Sequence, residues 1–515
     1  MPETSTYSKQ RIAKNSIVLF IRMFITMIIG LYTSRVVLNT LGVSDYGVYN
    51  VVGAVVGIFG FISNSMRNAS SRFIAVELGK GNKKSLSDTF NTALVLHFIV
   101  AVFIILLLET VGLFLFNNKL DIPDNRIEAA KIVYHLSVFT LLFVITQVPY
   151  SAALVAHERL DIFAYFEIAS VVSKLLILFL LVYFDYDKLI LYSILMFVVH
   201  ICIIFAYRLY CIKHFEETRF QFTIDKQILK SMLKFSTFDM FGNVCLTIKF
   251  QGMPILFNVF FGVIVNAAVG IVTTVTNVIR SFANNITSAF TPQITKLYAQ
   301  KDEKSMLSIL YMATRILCLF CAILYIPLFY NCEYILKLWL VNVPPLTTIF
   351  LQICLIETFF DVIFGLMQIS LNATGNIKKF SFWQGLSKLL VIPISYLALL
   401  LIETPEVIYI VSLLSALACL LIASYFYKLY VPSFSLHHFY KIILFVSFPI
   451  IFLIGLFYFV EKWNLTEFSK LIISTIIVVL IYTVVGYKLL TNSERNYVLK
   501  ILKLDKWLFK IIKSF

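Results

Sequence analysis

The chain has 515 residues, 60% of them hydrophobic and only 14% charged, with a mean hydropathy of +0.89. Soluble globular proteins carry about 25% charged residues, so this composition excludes one. The formal charge of +15 is first of all an orientation signal for a membrane protein and says little about nucleic acid, which is not expected as a partner.

Apolar runs of roughly 18–25 residues follow one another, each long enough to cross the hydrocarbon core as a helix. Helices satisfy their own backbone groups in lipid, so the expected fold class is an all-α integral membrane protein of about fourteen transmembrane helices. Spans are expected at 15–38, 47–66, 90–116, 132–153, 164–184, 189–210, 236–261, 264–290, 308–330, 346–372, 381–402, 407–428, 442–460 and 470–490. The polar stretch 1–14 and the length of the first run argue against a cleaved signal. With a cytoplasmic N-terminus most of the 43 basic residues fall on the cytoplasmic side, so both termini are expected there. The opposite loops, including 39–46, 117–131, 331–345 and 461–469, are too short for a folded domain.

The expected organisation is a first lobe at 1–215 holding spans 1–6, a cytoplasmic connecting segment at 216–235, and a second lobe at 236–430 holding spans 7–12. Spans 13 and 14 occupy 431–490, and a basic tail occupies 491–515. The tail suits either a helix on the anionic inner surface or a plain orientation signal. The eight cysteines are scattered; Cys318 and Cys321 share one helix, where packing is the simpler role than zinc or redox work.

The two lobes read as parallel copies of one unit. Residues 64–86 (NSMRNASSRFIAVELGKGNKKSL) lie against 285–307 (NITSAFTPQITKLYAQKDEKSML) at a shift of 221. LNTLGVSDYG at 38–47 lies against NVFFGVIVNA at 258–267 with Gly42 over Gly262, and the SKLL at Ser173 recurs at Ser387. Internal duplication in a transporter places the substrate site between the copies.

Charges within a span cost about 2.5–3.5 kcal/mol each on insertion scales, so each needs a partner or a wet cavity. Span 1 aligns Arg22 with Thr26, span 2 aligns Asn50 with Asn64, and span 8 aligns Asn277, Arg280 and Asn284 at helical spacing. Span 7 carries Asp239 and Lys249. Facing one another, these helices would line a cavity whose cations suit an anionic ligand, with guanidinium groups fitted to phosphate. Stripes of small and polar residues also serve ordinary helix packing. Span 10 places Glu357 and Asp361 one turn apart. Two carboxylates so close repel, which invites a proton or a cation, and together with Asp239 they form a candidate ion-coupling site; neutralisation by Lys388 or Lys249 for folding alone is the alternative. No cofactor is expected beyond that proton or sodium ion.

NSIVLFIRMFITMIIGLYTSRVVLNTLGVSDYGVYNVV at 15–52, with LG-x-x-DYG after span 1 and a basic loop after span 2, resembles the polysaccharide flippases (Wzx-type) of the multidrug/oligosaccharidyl-lipid/polysaccharide exporter superfamily. The resemblance implies two six-helix lobes in a V shape that alternate between openings. It implies carriage of an undecaprenyl-diphosphate-linked oligosaccharide to the periplasmic leaflet of the bacterial inner membrane, for O-antigen, capsule or related polysaccharides. Polysaccharide polymerase and chain-length proteins are further candidate partners. Cations on spans 1, 2 and 8 face the cavity in relatives; Arg22 and Arg280 match, whereas span 2 offers only Arg67 at its end. The acid that sodium-binding relatives carry on span 7 would be Asp239, and spans 13 and 14 are similar to those of fourteen-span lipid II flippases.

Two other classes compete. A multidrug exporter of the same superfamily would prefer an acidic or aromatic cavity over the basic first lobe. A polymerase or ligase of lipid-linked glycans needs a sizeable catalytic loop, and the seven histidines form no constellation with an evident nucleophile; the chain is not expected to be an enzyme.

Overall fold

A computed structural model describes residues 3–157, 159–374, 378–461 and 465–491, and all regular structure within them is helical. In chain order the helices are α1 (Glu3–Gly57), α2 (Gly60–Lys80), α3 (Lys83–Leu107), α4 (Leu113–Lys119), α5 (Ile127–Ala156), α6 (Leu160–Tyr183), α7 (Lys188–His214) and α8 (Lys226–Ala299). They continue with α9 (Glu303–Tyr330), α10 (Cys332–Trp339), α11 (Thr347–Ala373), α12 (Lys378–Leu389), α13 (Val391–Leu399), α14 (Glu406–Tyr430), α15 (Leu436–Ser447), α16 (Pro449–Glu461) and α17 (Glu467–Leu489). Among the described residues, 12 helical stretches are long and apolar enough to cross a membrane. Two of them, within α1 and α8, are each divided by a kink, which fits about fourteen crossings. The chain is an all-α, multi-pass membrane protein.

Both kinks are made by glycine. Gly42 has φ 80 and ψ 169, and Gly262 has φ 74 and ψ −173, a region essentially closed to any residue with a side chain. These are the two glycines that the internal repeat superposes, so the copies share an irregular backbone conformation that composition alone would not produce. The outer loop expected at 39–46 is reduced to this kink, because one glycine suffices to interrupt the helix. The second shared feature is a turn. Left-handed Gly81 (φ 72) precedes Asn82, whose side chain caps α3 by accepting from the Lys84 and Ser85 amides. Left-handed Lys301 (φ 58) precedes Asp302, which caps α9 by accepting from Ser305. Gly42 to Gly262, Gly81 to Lys301 and Asn82 to Asp302 all differ by 220, so the loop register moves by one residue from the 221 read in sequence.

Alanine at either kink must adopt a backbone conformation costing about 1–3 kcal/mol. A Cβ at Gly42 meets nothing within 4 Å, whereas one at Gly262 would lie 2.8 Å from Asp121 Oδ2. Thermal unfolding should therefore show Gly262→Ala as the more damaging of the two; equal losses would mean that the Asp121 carboxylate yields freely.

The helices form two compact units: residues up to Val275 with Leu340–Thr347 and Lys388–Ile408, and Thr276–Trp339 with Thr348–Ser387 and the chain from Tyr409 onward. In the first, α1 packs on α6, while α5 packs on α2, α3 and α7. Ile74, Leu86, Phe90, Tyr150, Tyr207 and Phe215 form a buried cluster there that joins the ends of α2, α3, α5 and α7. In the second unit α9 packs on α15 and α17. The Asn331 amide donates to Ser474 Oγ at 2.9 Å, and Tyr330 stacks on Phe457 with ring centroids 4.3 Å apart, so α16 and α17 are both fastened to the C-terminal end of α9.

Candidate functional site

Helical spacing puts Arg280 on the polar stripe of α8 and Glu357 and Asp361 one turn apart on α11. In the second unit these stripes meet. Arg280 Nη2 donates to Asp361 Oδ2 at 3.1 Å and lies 4.0 Å from Glu357 Oε1. Ser412 on α14 donates its hydroxyl to the same Glu357 oxygen at 2.7 Å. Glu357 is buried, 3% exposed, while the side chains of Arg280 and Asp361 keep 22% and 19% of their surface. The phenols of Tyr325 and Tyr409 and the thiol of Cys354 lie close enough to feel the guanidinium charge. Among the described contacts one guanidinium thus faces two carboxylates, and like charges one turn apart favour the binding of a proton or a cation. Asn277 and Asn284, on the same α8 stripe, are exposed. Beside Tyr325, an apolar cavity of about 720 Å³ is lined by Phe329, Leu355, Phe360, Leu453 and Phe457.

The candidates of the first unit are dispersed. Arg22 lies over the Phe163 ring of α6, 5.5 Å from its centroid, a cation–π contact. Thr26 donates its hydroxyl to the Met23 carbonyl at 3.0 Å, and Asn50 donates to the Tyr46 carbonyl at 2.7 Å. Lys249 is 2% exposed, with its ammonium 5.8 Å from the Phe250 ring centroid. The side chains of Asn64 and Asp239 lie outside the described residues, as does 492–515.

The LG-x-x-DYG stretch acquires a structural meaning residue by residue. Gly42 is the kink. Asp45 is bound by Nε and Nη2 of Arg126, whose Nη1 reaches Asp187 Oδ2 at 2.6 Å. Asp187 Oδ1 also accepts from the Leu189 and Ile190 amides and so caps α7. Its burial alone would raise the carboxyl pKa, but the Ile190 amide and the Arg126 guanidinium outweigh burial and hold it below the ordinary value. Tyr46 is buried, and a Cβ on Gly47 would stand 1.8 Å from the Val263 carbonyl oxygen of α8. Arg126, Asp187 and Ser412 were not singled out by sequence reasoning: an acid in a motif announces a partner, but nothing in the spacing says which loop supplies it.

Residues 12–263 match the family described as "Polysaccharide biosynthesis protein", and residues 240–397 match the family described as "MatE". Together these matches run over residues 12–397 and support the multidrug/oligosaccharidyl-lipid/polysaccharide exporter superfamily. Its fold is that of this superfamily. A lipid II flippase, MurJ, in an inward closed conformation is similar over 92% of this chain and 99% of its own, with a TM-score of 0.72 and 17% identity. A multidrug resistance MATE family transporter in an inward-facing conformation is similar over 82% of this chain and 100% of its own, with a TM-score of 0.62 and 12% identity. A superfamily transporter from Pyrococcus furiosus, described as having a binding pocket of reversed polarity, is similar over 82% and 96% of the two chains, with a TM-score of 0.54 and 13% identity. None of the curated proteins matches the sequence. The chain therefore shares its architecture with a flippase and with drug transporters alike, and its own side chains have to distinguish them.

Proposed function

We propose that the chain translocates an undecaprenyl-diphosphate-linked oligosaccharide across the bacterial inner membrane, from the cytoplasmic to the periplasmic leaflet, by alternating access, in O-antigen, capsule or related polysaccharide synthesis. Both termini would be cytoplasmic. The observation that carries the reading is the Arg280 cluster. A guanidinium held by two carboxylates can exchange them for the paired oxygens of a diphosphate, and the carboxylate it leaves, Asp361 first, is then stabilised by a proton or a sodium ion. Arg22 is the second candidate contact for the diphosphate, with Asn50, Asn64, Asn277 and Asn284 as hydrogen-bond partners for sugar hydroxyls. The apolar cavity beside Tyr325 offers a seat for hydrocarbon, which a lipid-linked cargo has and a free sugar lacks. Ion binding biases the exchange between openings only by the difference in its affinity for the two.

The exchange has a measurable sign. A diphosphate brought beside the two carboxylates is repelled by them, so its binding is linked to uptake of a proton or a sodium ion. Purified protein in nanodiscs should bind a diphosphate-linked polyprenyl oligosaccharide more tightly when the proton or sodium concentration is high than when both are low. The double variant Glu357→Gln/Asp361→Asn should bind it equally in both conditions. Binding that is independent of pH and sodium in the wild type would sink the exchange. The MatE match at 240–397 favours one other reading, extrusion of a cationic compound that binds Glu357 and Asp361 directly. Liposomes that expel a cationic dye but move no lipid-linked sugar would establish that reading instead.

A further inference from the structure

The segment that joins α7 to α8 is docked on the first unit and turns an apolar edge outward. Phe215 belongs to the buried cluster, and Thr218 is fully buried. Two buried side chains of α3 then hold the backbone: Asn91 Oδ1 accepts from the Gln221 amide at 2.8 Å, and Thr92 Oγ1 accepts from the Asp225 amide at 3.0 Å. Between these points the Thr223 amide donates to the Gln221 carbonyl at 2.8 Å, a three-residue turn with Phe222 at its apex. Phe220, Phe222 and Ile224 consequently project away from the protein, 61%, 77% and 44% exposed.

The charges of this segment are sorted in the same way. Glu216 is paired with Lys83 at 2.8 Å, Glu217 with His157 at 2.6 Å, and Asp225 with the amides of Gln227 and Ile228. The acids are thus engaged within the protein, whereas Lys213, Arg219, Lys226 and Lys230 are exposed.

We propose that this edge is a membrane-surface anchor, with Phe220, Phe222 and Ile224 seated at the boundary between headgroups and acyl chains and the neighbouring basic residues holding anionic headgroups. The depth fits. Thr92 lies six residues, about 9 Å of helix, before Phe98, the first exposed large apolar side chain of α3. On α7 the exposed apolar residues extend through Leu209 to Ile212, two positions before the helix ends. By these two measures the segment lies between the hydrocarbon edge and the outer limit of the headgroup layer, about 5–8 Å thick on each side, and its outward rings are within a side chain's length of the acyl boundary, where interfacial anchors sit. Exposed lysine and arginine at that level attract anionic lipid. The turn at Phe222 interrupts the regular row of backbone donors and acceptors that a strand-adding protein partner would need, which favours the lipid surface over such a partner.

The test is a depth measurement on the full chain. In a background where Cys202, the exposed cysteine among the described residues, is replaced by serine, a nitroxide is attached at Phe222→Cys and, separately, at Phe220→Cys. Lys84→Cys, exposed in the first turn of α3, serves as the aqueous reference. In vesicles of phosphatidylglycerol and phosphatidylcholine the labels at 220 and 222 should collide with oxygen several-fold more than with an aqueous nickel chelate, the reverse of position 84. Replacing the anionic lipid by phosphatidylcholine, or introducing Arg219→Ala/Lys226→Ala, should move both labels toward water. Labels at 220 and 222 as accessible to the chelate as that at 84 would overturn the proposal. So would protection present in native membranes and lost in vesicles, which would assign the edge to a protein.

Discussion

Arg280→Ala is expected to abolish transport and to lower stability by about 3 kcal/mol, the low end of what removing one partner of a buried ion pair costs. The low end applies because Arg280 and Asp361 keep some exposure; most of the loss comes from Glu357, 3% exposed, which loses the nearby guanidinium charge. The two effects can be separated. Adding Glu357→Gln to Arg280→Ala removes the buried carboxylate charge and should restore most of the stability, while transport remains lost because the diphosphate contact is still missing. Thermal unfolding in nanodiscs and liposome transport on the same preparations give both readings. A double variant that regains transport together with stability would mean that Arg280 serves only to neutralise the acids, and the proposed cargo contact would have to lie elsewhere.

The second large effect is expected at Gly47. A methyl group there would lie 1.8 Å from the Val263 carbonyl oxygen and 2.7 Å from its carbon. Both are backbone atoms of α8, so no side chain can rotate aside, and the helices must part. Forcing extra volume into a packed contact costs typically about 1–3 kcal/mol, and a backbone-to-backbone clash belongs at the upper end. Gly53, on the same helix, has nothing within 4 Å of its would-be Cβ. Gly53→Ala should therefore be neutral or stabilise by up to about 1 kcal/mol, since alanine is the better helix former. A Gly47→Ala protein as stable as the Gly53→Ala control would show that α1 and α8 do not approach so closely.

Much of this was legible in the sequence for identifiable physical reasons. Hydrophobic length gave the crossings, and periodicity put Arg280 on one face of its helix and Glu357 and Asp361 on one face of theirs. Periodicity is silent about which helix stands opposite, so the pairing of Arg280 with Asp361, 81 positions apart, could not be read. Two residues assigned to separate tasks, cargo and ion, therefore turned out to touch. Arg22 shows the opposite limit. Its helical stripe points to a polar face, and the guanidinium also lies over Phe163, a partner that no polar pattern announces. The repeat was visible through Gly42 and Gly262 because the residue itself was retained. The loop register was off by one because Gly81 and Lys301 share a conformation and not an identity.

The matched kinks bear on ancestry. A backbone conformation open essentially to glycine alone and present at Gly42 and Gly262 is what duplication of one unit would leave, since two unrelated segments would have to acquire it independently. With six expected crossings in each copy, a half begins and ends on the same side of the bilayer. Two such halves can be fused head to tail without inverting either, and the fused gene needs no new loop charges to insert correctly.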